Sequence, residues 1–217
     1  MDTDTTIRAI VDKHEAVYRG DSPYNNAITA MATRDLAQIS ESDVVNVVER
    51  FLYDWGKMGR VLGQERFSGW QGKVAQIIQS NSGILKQFQN RNIEYENLSN
   101  HKHEIVMLYE AFKGATWQIA SAKILNLICP NFFPLWDNGI ANALRVELAH
   151  LEGYSFDKSI EDFSGEDYFR FMDGTKLFIS RHSDVLSTLS NQYQQRKLRI
   201  IDECFWWVVR RPFSLIF

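Results

Sequence analysis

Residues 114–144 read GATWQIASAKILNLICPNFFPLWDNGIANAL, and this stretch decides the fold. Apolar side chains fill eight of the twelve positions of 117–128 and lie almost all the way round, which predicts a helix in the protein interior rather than on its surface. Lys123 is the single charge in that helix. Pro130 ends the helix because proline has no amide proton to donate and restricts the residue before it. Asp137 then stands at the N-cap position of a second helix.

A lysine in an apolar helix, linked to a capping aspartate through a proline-braced aromatic crossing, is typical of a site. Each residue also has a purely structural interpretation. Lys123 can bury its stem and carry its amine to solvent. Asp137 can act as an N-cap alone, which contributes about 1 kcal/mol. Phe132 and Trp136 can be core residues, so both interpretations stay open at the level of sequence.

The composition fits one domain of 217 residues, or two small helical lobes with the site between them near 114–144. The hydrophobic fraction of 45% and the aromatic fraction of 13% suffice for a packed core. The net charge of −3 means that a nucleic-acid partner would require a local basic patch.

Localisation and cofactors are predicted from absences in the sequence. Cys129 and Cys204 have no CxxC spacing, and the N-terminus has no secretory pattern. We therefore predict a reduced, cytoplasmic protein, nucleoid-associated if it binds DNA, with no membrane span. His101 and His103 would diverge on a helix and no Cys or carboxylate pair lies near them, so neither a metal nor another cofactor is predicted.

Apolar spacing is helical throughout, which predicts an all-α protein of about nine or ten helices. A serine at 40 or 42 is expected to cap the third helix, and 152–164 to form a polar loop. The helices are predicted at 7–17, 27–36, 42–55, 68–80, 83–88, 104–113, 117–128, from 137, at 165–180 with the same pattern continuing over 185–193, and at 198–209.

The segment Trp55-Gly56-Lys57-Met58-Gly59-Arg60 forms a corner after the third helix. Its two glycines allow close backbone approach or unusual dihedral angles. The two cations and the tryptophan beside them favour a phosphate or base contact. A helix–helix turn with solvated charges explains the same residues without a ligand.

Residues 121–137, SAKILNLICPNFFPLWD, resemble the core of the helix-hairpin-helix DNA glycosylases. The similarity is closest to bacterial proteins with an 8-oxoguanine-glycosylase-like fold. Those proteins share a lysine-bearing helix, a Pro-x-x-Phe-Pro crossing and an aromatic residue followed by aspartate. The WGKMGR corner and the late helix LRIIDECFWW are also similar to parts of these proteins, so the resemblance extends over about residues 42–208.

The resemblance implies a DNA-repair N-glycosylase, with abasic-site lyase activity in its bifunctional members. A damaged nucleotide would be flipped out of double-stranded DNA, because its glycosidic bond is unreachable inside the stack. Asp137 would support positive charge on the sugar. Lys123 would attack the sugar carbon, for which the amine must be neutral, and burial favours that form. Thr116 and Asn126 share a helical stripe with Lys123 and would line the pocket floor.

This sequence departs from the family pattern at the hairpin. The usual motif has two glycines, whereas Gly114-Ala115-Thr116 has one, which weakens the expected binding of phosphate by hairpin amides. Ungapped counting from the hairpin would also put the family lysine near Gln118 or Ile119. The alternative is therefore a DNA- or protein-binding module without catalysis, and the aromatic C-terminus could pack on a partner.

Two sets of contact residues follow from this interpretation. The expected DNA or substrate contacts are Trp55, Lys57, Arg60, Gly114, Thr116, Asn126, Trp136 and Asn138. The cations expected to form a local patch are Lys57, Arg60, Lys113, Arg196, Lys197 and Arg199.

Overall fold

The computed structural model of the chain describes residues 3–18, 22–137, 139–140 and 164–210. Within these residues all regular structure is helical and no strand occurs, which confirms the prediction of an all-α protein. Eleven α-helices lie in the described ranges, against the nine or ten predicted. None of these helices combines the length and the apolar character that crossing a membrane requires.

The helices are numbered here in chain order. They are α1 (Thr3–Tyr18), α2 (Ser22–Ala32), α3 (Glu41–Asp43), α4 (Gly59–Leu62), α5 (Trp70–Ser80), α6 (Ser82–Gln89), α7 (Lys102–Ala115), α8 (Gln118–Ile128), α9 (Gly165–Arg181), α10 (Ser183–Tyr193) and α11 (Lys197–Arg210). The second helix therefore begins earlier and ends earlier than predicted. The polar loop predicted at 152–164 lies outside the described residues, except for its last residue.

The third helix continues from α3 through two π-helical segments, Val44–Glu49 and Phe51–Trp55. Ser40 caps it, since the Ser40 hydroxyl accepts from the Asp43 amide at 3.1 Å and the Asp43 carboxylate accepts from the Ser40 amide at 2.9 Å. π-helices usually occur as single-turn bulges, often at functional sites. Two successive segments are therefore unusual, and they end at the corner that the sequence singles out.

Gly56 is required at that corner. A β-carbon on Gly56 would lie 2.7 Å from the backbone oxygen of Leu52, which is closer than real contacts allow. The same oxygen accepts a hydrogen bond from the Met58 amide at 2.8 Å. The backbone then passes through the left-handed region at Lys57, where φ is 55°. The glycine thus lets the chain fold back tightly after the π-helix.

Helix α8 is the buried helix that the sequence predicts. Every residue from Ile119 to Ile128 except Lys123 is buried. Its link to α7 differs from the predicted hairpin, because α7 continues through Gly114 to Ala115. The amide of Thr116 donates to the carbonyl of Phe112 at 2.9 Å, so helical bonding extends past the glycine and only residues 116–117 connect the two helices.

The proline crossing, predicted to be irregular at residues 130–136, is irregular over residues 129–137 and is held by side chains from other elements. The Tyr168 hydroxyl donates to the Pro134 carbonyl at 2.8 Å. The Asn126 amide group donates to the Phe133 carbonyl at 2.7 Å. Phe132 stacks on Phe88 with ring centroids 4.4 Å apart. The crossing is therefore fixed relative to α6, α8 and α9.

The first and last described helices lie side by side, since α1 packs on α11. Ile7, Ile10 and Val11 on α1 are buried, as are Ile200 and Ile201 on α11. Buried apolar side chains from α1 to α11 form one connected core cluster. The first and the last described helix therefore both contribute to the core cluster that includes α8.

Candidate functional site

One cavity of about 500 Å³ gathers the most distinctive residues of the sequence. Six parts of the chain line it: α1, α2, the corner at residues 54–57, α8, the end of the proline crossing with the turn after it, and α11. Its ionisable lining residues are His14, Asp54, Lys57, Lys123, Asp137, Arg199, Asp202 and Glu203. The cavity therefore combines positive and negative groups on a partly apolar surface.

Lys123 reaches the cavity from the buried helix α8. Its amine donates to the Gly56 carbonyl at 3.0 Å and lies 5.2 Å from the centroid of the Trp55 ring. The side chain is partly buried, whereas its neighbours in α8 are fully buried. The tight corner at Gly56 thus presents a carbonyl and an aromatic face to the one charged side chain of the helix.

Asp137 lines the same cavity and also caps the helical turn that follows it. Its Oδ1 accepts from the Ile140 amide at 2.9 Å, which confirms the predicted N-cap. Among the described residues this is the only hydrogen bond that the carboxylate makes. The structural and the functional interpretation of Asp137 are therefore compatible.

Two predicted aromatic residues border the cavity in different ways. Trp55 is half-buried and stacks on Phe51, with centroids 5.0 Å apart and planes 9° apart. Trp136 is buried and stacks on Phe171, with centroids 5.4 Å apart and planes 10° apart. Trp55 thus lines the cavity with a partly exposed ring, whereas Trp136 belongs mainly to the core and is only 2% exposed.

Of the three residues on the helical stripe expected to form the pocket floor, only Lys123 lines the cavity. Asn126 is bonded at both ends in the core, since its Oδ1 accepts from the Tyr24 hydroxyl at 2.8 Å. The Thr116 hydroxyl donates to the Phe112 carbonyl at 2.8 Å, and the residue is fully buried. The structure therefore places Asn126 and Thr116 in roles of internal hydrogen bonding.

Of the remaining predicted contacts, Lys57 lines the cavity, whereas Gly114 and Arg60 lie outside it. Gly114 is exposed on α7 and borders a shallow groove with Lys73 on α5. Arg60 is exposed on α4. Lys57 lies at the cavity edge, and its amine donates to the Asp54 carbonyl at 2.5 Å. Asn138 lies outside the described residues.

Arg199 is the main correction to the predicted cationic patch. Its side chain is only 8% exposed, because it points into the cavity wall. It pairs with Asp202, and its Nε lies 3.2 Å from Glu203 Oε1. The guanidinium also lies 5.5 Å from the Trp55 ring centroid. Arg199 is therefore committed to this network rather than available to a phosphate at the surface.

Two further cations of the predicted patch have carboxylate partners. The amine of Lys197 contacts the Glu94 carboxylate at 2.8 Å, and that of Lys113 lies 3.5 Å from Glu110. Lys113 and Lys197 are therefore paired with carboxylates, as Arg199 is, and do not form a patch of unpaired cations.

His14 and Glu203 are functional candidates that the sequence analysis missed. The His14 Nδ1 lies 3.5 Å from Glu203 Oε2 and 3.7 Å from the Glu15 carboxylate. Burial raises the pKa of Glu203 to about 8, although Arg199 opposes that shift. Burial and the positive charge of Arg199 lower the pKa of His14 to about 4. At neutral pH the metal-free protein therefore holds a neutral imidazole beside a largely protonated carboxyl group.

One feature of the sequence indicates part of the cluster of His14, Arg199 and Glu203. Arg199, Asp202 and Glu203 have i, i+3 and i, i+4 spacing within an apolar helix, which permits contact on one helical face. Nothing local connects that helix to His14, because α1 lies at the other end of the chain.

Compared with protein-family models, with curated proteins and with solved structures, the chain shows no match. Function must therefore be argued from the residues of the cavity. The central fact is that Lys123 and Asp137, from separate elements, line it together.

Proposed function

We propose that the protein is a DNA-repair N-glycosylase of the helix-hairpin-helix type that excises an oxidised or otherwise damaged base. The observation that carries this proposal is the shared cavity of Lys123 and Asp137, two residues that the family resemblance pairs. The proposal rests on that resemblance and on the chemistry of the cavity together.

The cavity suits a single flipped nucleotide. Small-molecule sites have volumes of roughly 300–1,000 Å³, and this one has about 500 Å³. A base in the cavity would contact the half-buried ring of Trp55, which lines the cavity and stacks on Phe51. The shared position of Lys123 and Asp137 on the cavity lining would bring the sugar of that nucleotide to both side chains.

The two residues would divide the reaction as follows. Asp137 would stabilise positive charge that develops on the sugar as the glycosidic C–N bond breaks. The neutral amine of Lys123 would form a new C–N bond to the sugar carbon, while the base departs with the bonding electrons and takes up a proton. Loss of a proton from the adduct nitrogen and opening of the sugar ring then give a Schiff base, the intermediate needed for strand cleavage.

Borohydride trapping on duplexes that each contain one altered base tests this proposal. The parent protein is expected to give a covalent adduct with at least one duplex, and Lys123→Gln none. Lys86→Gln is the matched control, since Lys86 is a surface lysine paired with Asp35 and lies outside the cavity. Absence of any adduct and of any base release with the parent across a broad panel would overturn the proposal, and so would an undiminished adduct with Lys123→Gln.

A second candidate is a DNA- or protein-binding module without catalysis, which the geometry of the hairpin favours. The Thr116 amide is bonded within α7, so it is not directed at a phosphate. Four carboxyl side chains, those of Asp54, Asp137, Asp202 and Glu203, also line the cavity. Specific, salt-dependent DNA binding without base release would identify this second function.

A further inference from the structure

Three potential metal ligands from opposite ends of the chain meet at one side of the cavity. His14 and Glu15 come from α1, and Glu203 comes from α11. One ligand atom from each lies within 4.8 Å of the other two. We propose that His14, Glu15 and Glu203 bind one divalent transition-metal ion, with zinc as the best-fitting probe.

The separations between the donor atoms agree with zinc coordination. Zinc binds nitrogen and carboxylate oxygen at about 2.0–2.2 Å, so two ligands at a tetrahedral angle lie about 3.3–3.6 Å apart. The His14 Nδ1 lies 3.5 Å from Glu203 Oε2 and 3.7 Å from Glu15 Oε1. Two of the three donor pairs thus lie within a few tenths of an ångström of the separation that zinc requires, and the third pair lies within 4.8 Å.

Glu203 supplies an independent reason to expect a cation. Its side chain is fully buried, yet neither of its oxygens accepts a hydrogen bond from the described part of the chain. Arg199 approaches Oε1 at 3.2 Å but also pairs with Asp202, so one guanidinium serves two carboxylates. Buried carboxylates are stabilised by pairing or by metal coordination. A metal ion on Oε2 would balance the negative charge of the ionised Glu203 carboxylate.

Outer contacts orient two of the three ligands. The Gln195 amide group donates to Glu15 Oε1 at 2.8 Å. Arg199 approaches Glu203 from the Oε1 side, which turns Oε2 toward His14. Such second-layer contacts position metal ligands and tune their basicity in metalloproteins.

The site would have an open coordination position facing the cavity. Three protein ligands with a fourth position for water or substrate are the pattern of catalytic zinc sites, whereas structural sites use four protein ligands. His14 and Glu203 both line the cavity that holds Lys123 and Asp137. The ion would therefore join α1 to α11 and place a Lewis acid in that cavity.

Isothermal titration of EDTA-treated, dialysed protein with ZnCl₂ tests this inference independently of DNA excision. We expect one high-affinity ion per chain and a zinc-dependent rise in Tm. Loss of a direct ligand in His14→Gln or Glu203→Gln should weaken zinc binding by at least about 100-fold, since second-layer changes alone cost 10- to 100-fold. His182→Gln is the matched control, because His182 also contacts a carboxylate of α1, that of Asp4 at 2.6 Å.

Glu203→Gln keeps the test decisive because glutamine imitates a protonated glutamate and should preserve the fold, which circular dichroism checks. Zinc binding retained by His182→Gln but lost by Glu203→Gln supports the site. No binding by the parent, or binding by Glu203→Gln within about threefold of the parent, overturns it.

Discussion

Two sides of the cavity differ in the interactions that hold them in place. The α8 wall, defined by Lys123 and Asp137, places single charges against backbone groups in an otherwise apolar environment. The α11 wall, defined by His14, Arg199 and Glu203, is a network of buried ionisable groups in mutual contact. Packing therefore holds the first wall, whereas charge balance holds the second. The difference indicates that substitutions on the α11 wall should mainly affect stability, and those on the α8 wall mainly activity.

The largest expected effect comes from removing the central cation of the α11 wall. Arg199→Gln should lower the free energy of unfolding by about 3 kcal/mol, because breaking a buried pair leaves a carboxylate uncompensated. Lys197→Gln, on the same helix, should cost about 0–1 kcal/mol, since its pair with Glu94 is only partly buried. Urea unfolding of both variants measures the difference. Equal losses would show that charge balance does not hold this wall.

On the α8 wall, Asp137→Asn should reduce base excision by about 100-fold or more while leaving stability nearly unchanged. Asparagine caps helices about as well as aspartate, but its neutral amide cannot stabilise a cationic sugar. Asp137→Ala should lose excision and also about 1 kcal/mol of stability, because the hydrogen bond to the Ile140 amide disappears. Single-turnover excision assays and thermal unfolding separate the two effects. Full excision by Asp137→Asn would exclude Asp137 from catalysis.

This division between the walls also explains what the sequence could predict. The burial of α8, its end at the prolines and the cap at Asp137 depend on neighbouring residues, so periodicity and proline chemistry predict them. The role of Arg199 depends on which helices pack around α11, whereas the sequence analysis placed this residue in a cationic surface patch. His14 and Glu203 meet only because the two ends of the chain pack together. Even the turn after α7 was misjudged, since Gly114 remains within the helix.

The pKa shifts on the α11 wall predict how stability depends on pH in metal-free protein. The raised pKa of Glu203, about 8 against a usual 4.5, means that the folded state holds an extra proton between these values, so stability falls as pH rises. The lowered pKa of His14, about 4 against 6.5, has the opposite effect up to pH 6.5. The two offset each other between pH 4.5 and 6.5.

Above pH 6.5 the Glu203 effect predominates. The free energy of unfolding should therefore fall by about 1 kcal/mol between pH 6.5 and 8, because the full slope of about 1.4 kcal/mol per pH unit declines as Glu203 itself titrates near pH 8. Denaturant unfolding in the presence of EDTA measures this slope. Glu203→Gln should flatten it, because glutamine does not titrate. A slope that persists in Glu203→Gln would assign it to another group.

The smallest predicted effect concerns Gly114, where the family resemblance and the structure give different expectations. A β-carbon at this exposed helical position meets no atom within 4 Å. Gly114→Ala should therefore stabilise the protein by about 0.5–1 kcal/mol, because alanine favours the helix. If Gly114 instead served a hairpin that approaches a DNA phosphate closely, the same change would weaken DNA binding.

Gly56→Ala is the matched control, because its β-carbon would clash with the Leu52 carbonyl and so should destabilise the corner beside Lys123. Thermal unfolding and salt-dependent DNA binding of both variants distinguish the two roles of glycine. Higher stability with unchanged DNA affinity in Gly114→Ala would show that the end of α7 is an ordinary helix terminus. A tenfold loss of affinity in a stabilised Gly114→Ala protein would instead restore the hairpin as a phosphate contact, and would make α7 part of the binding surface alongside the cavity.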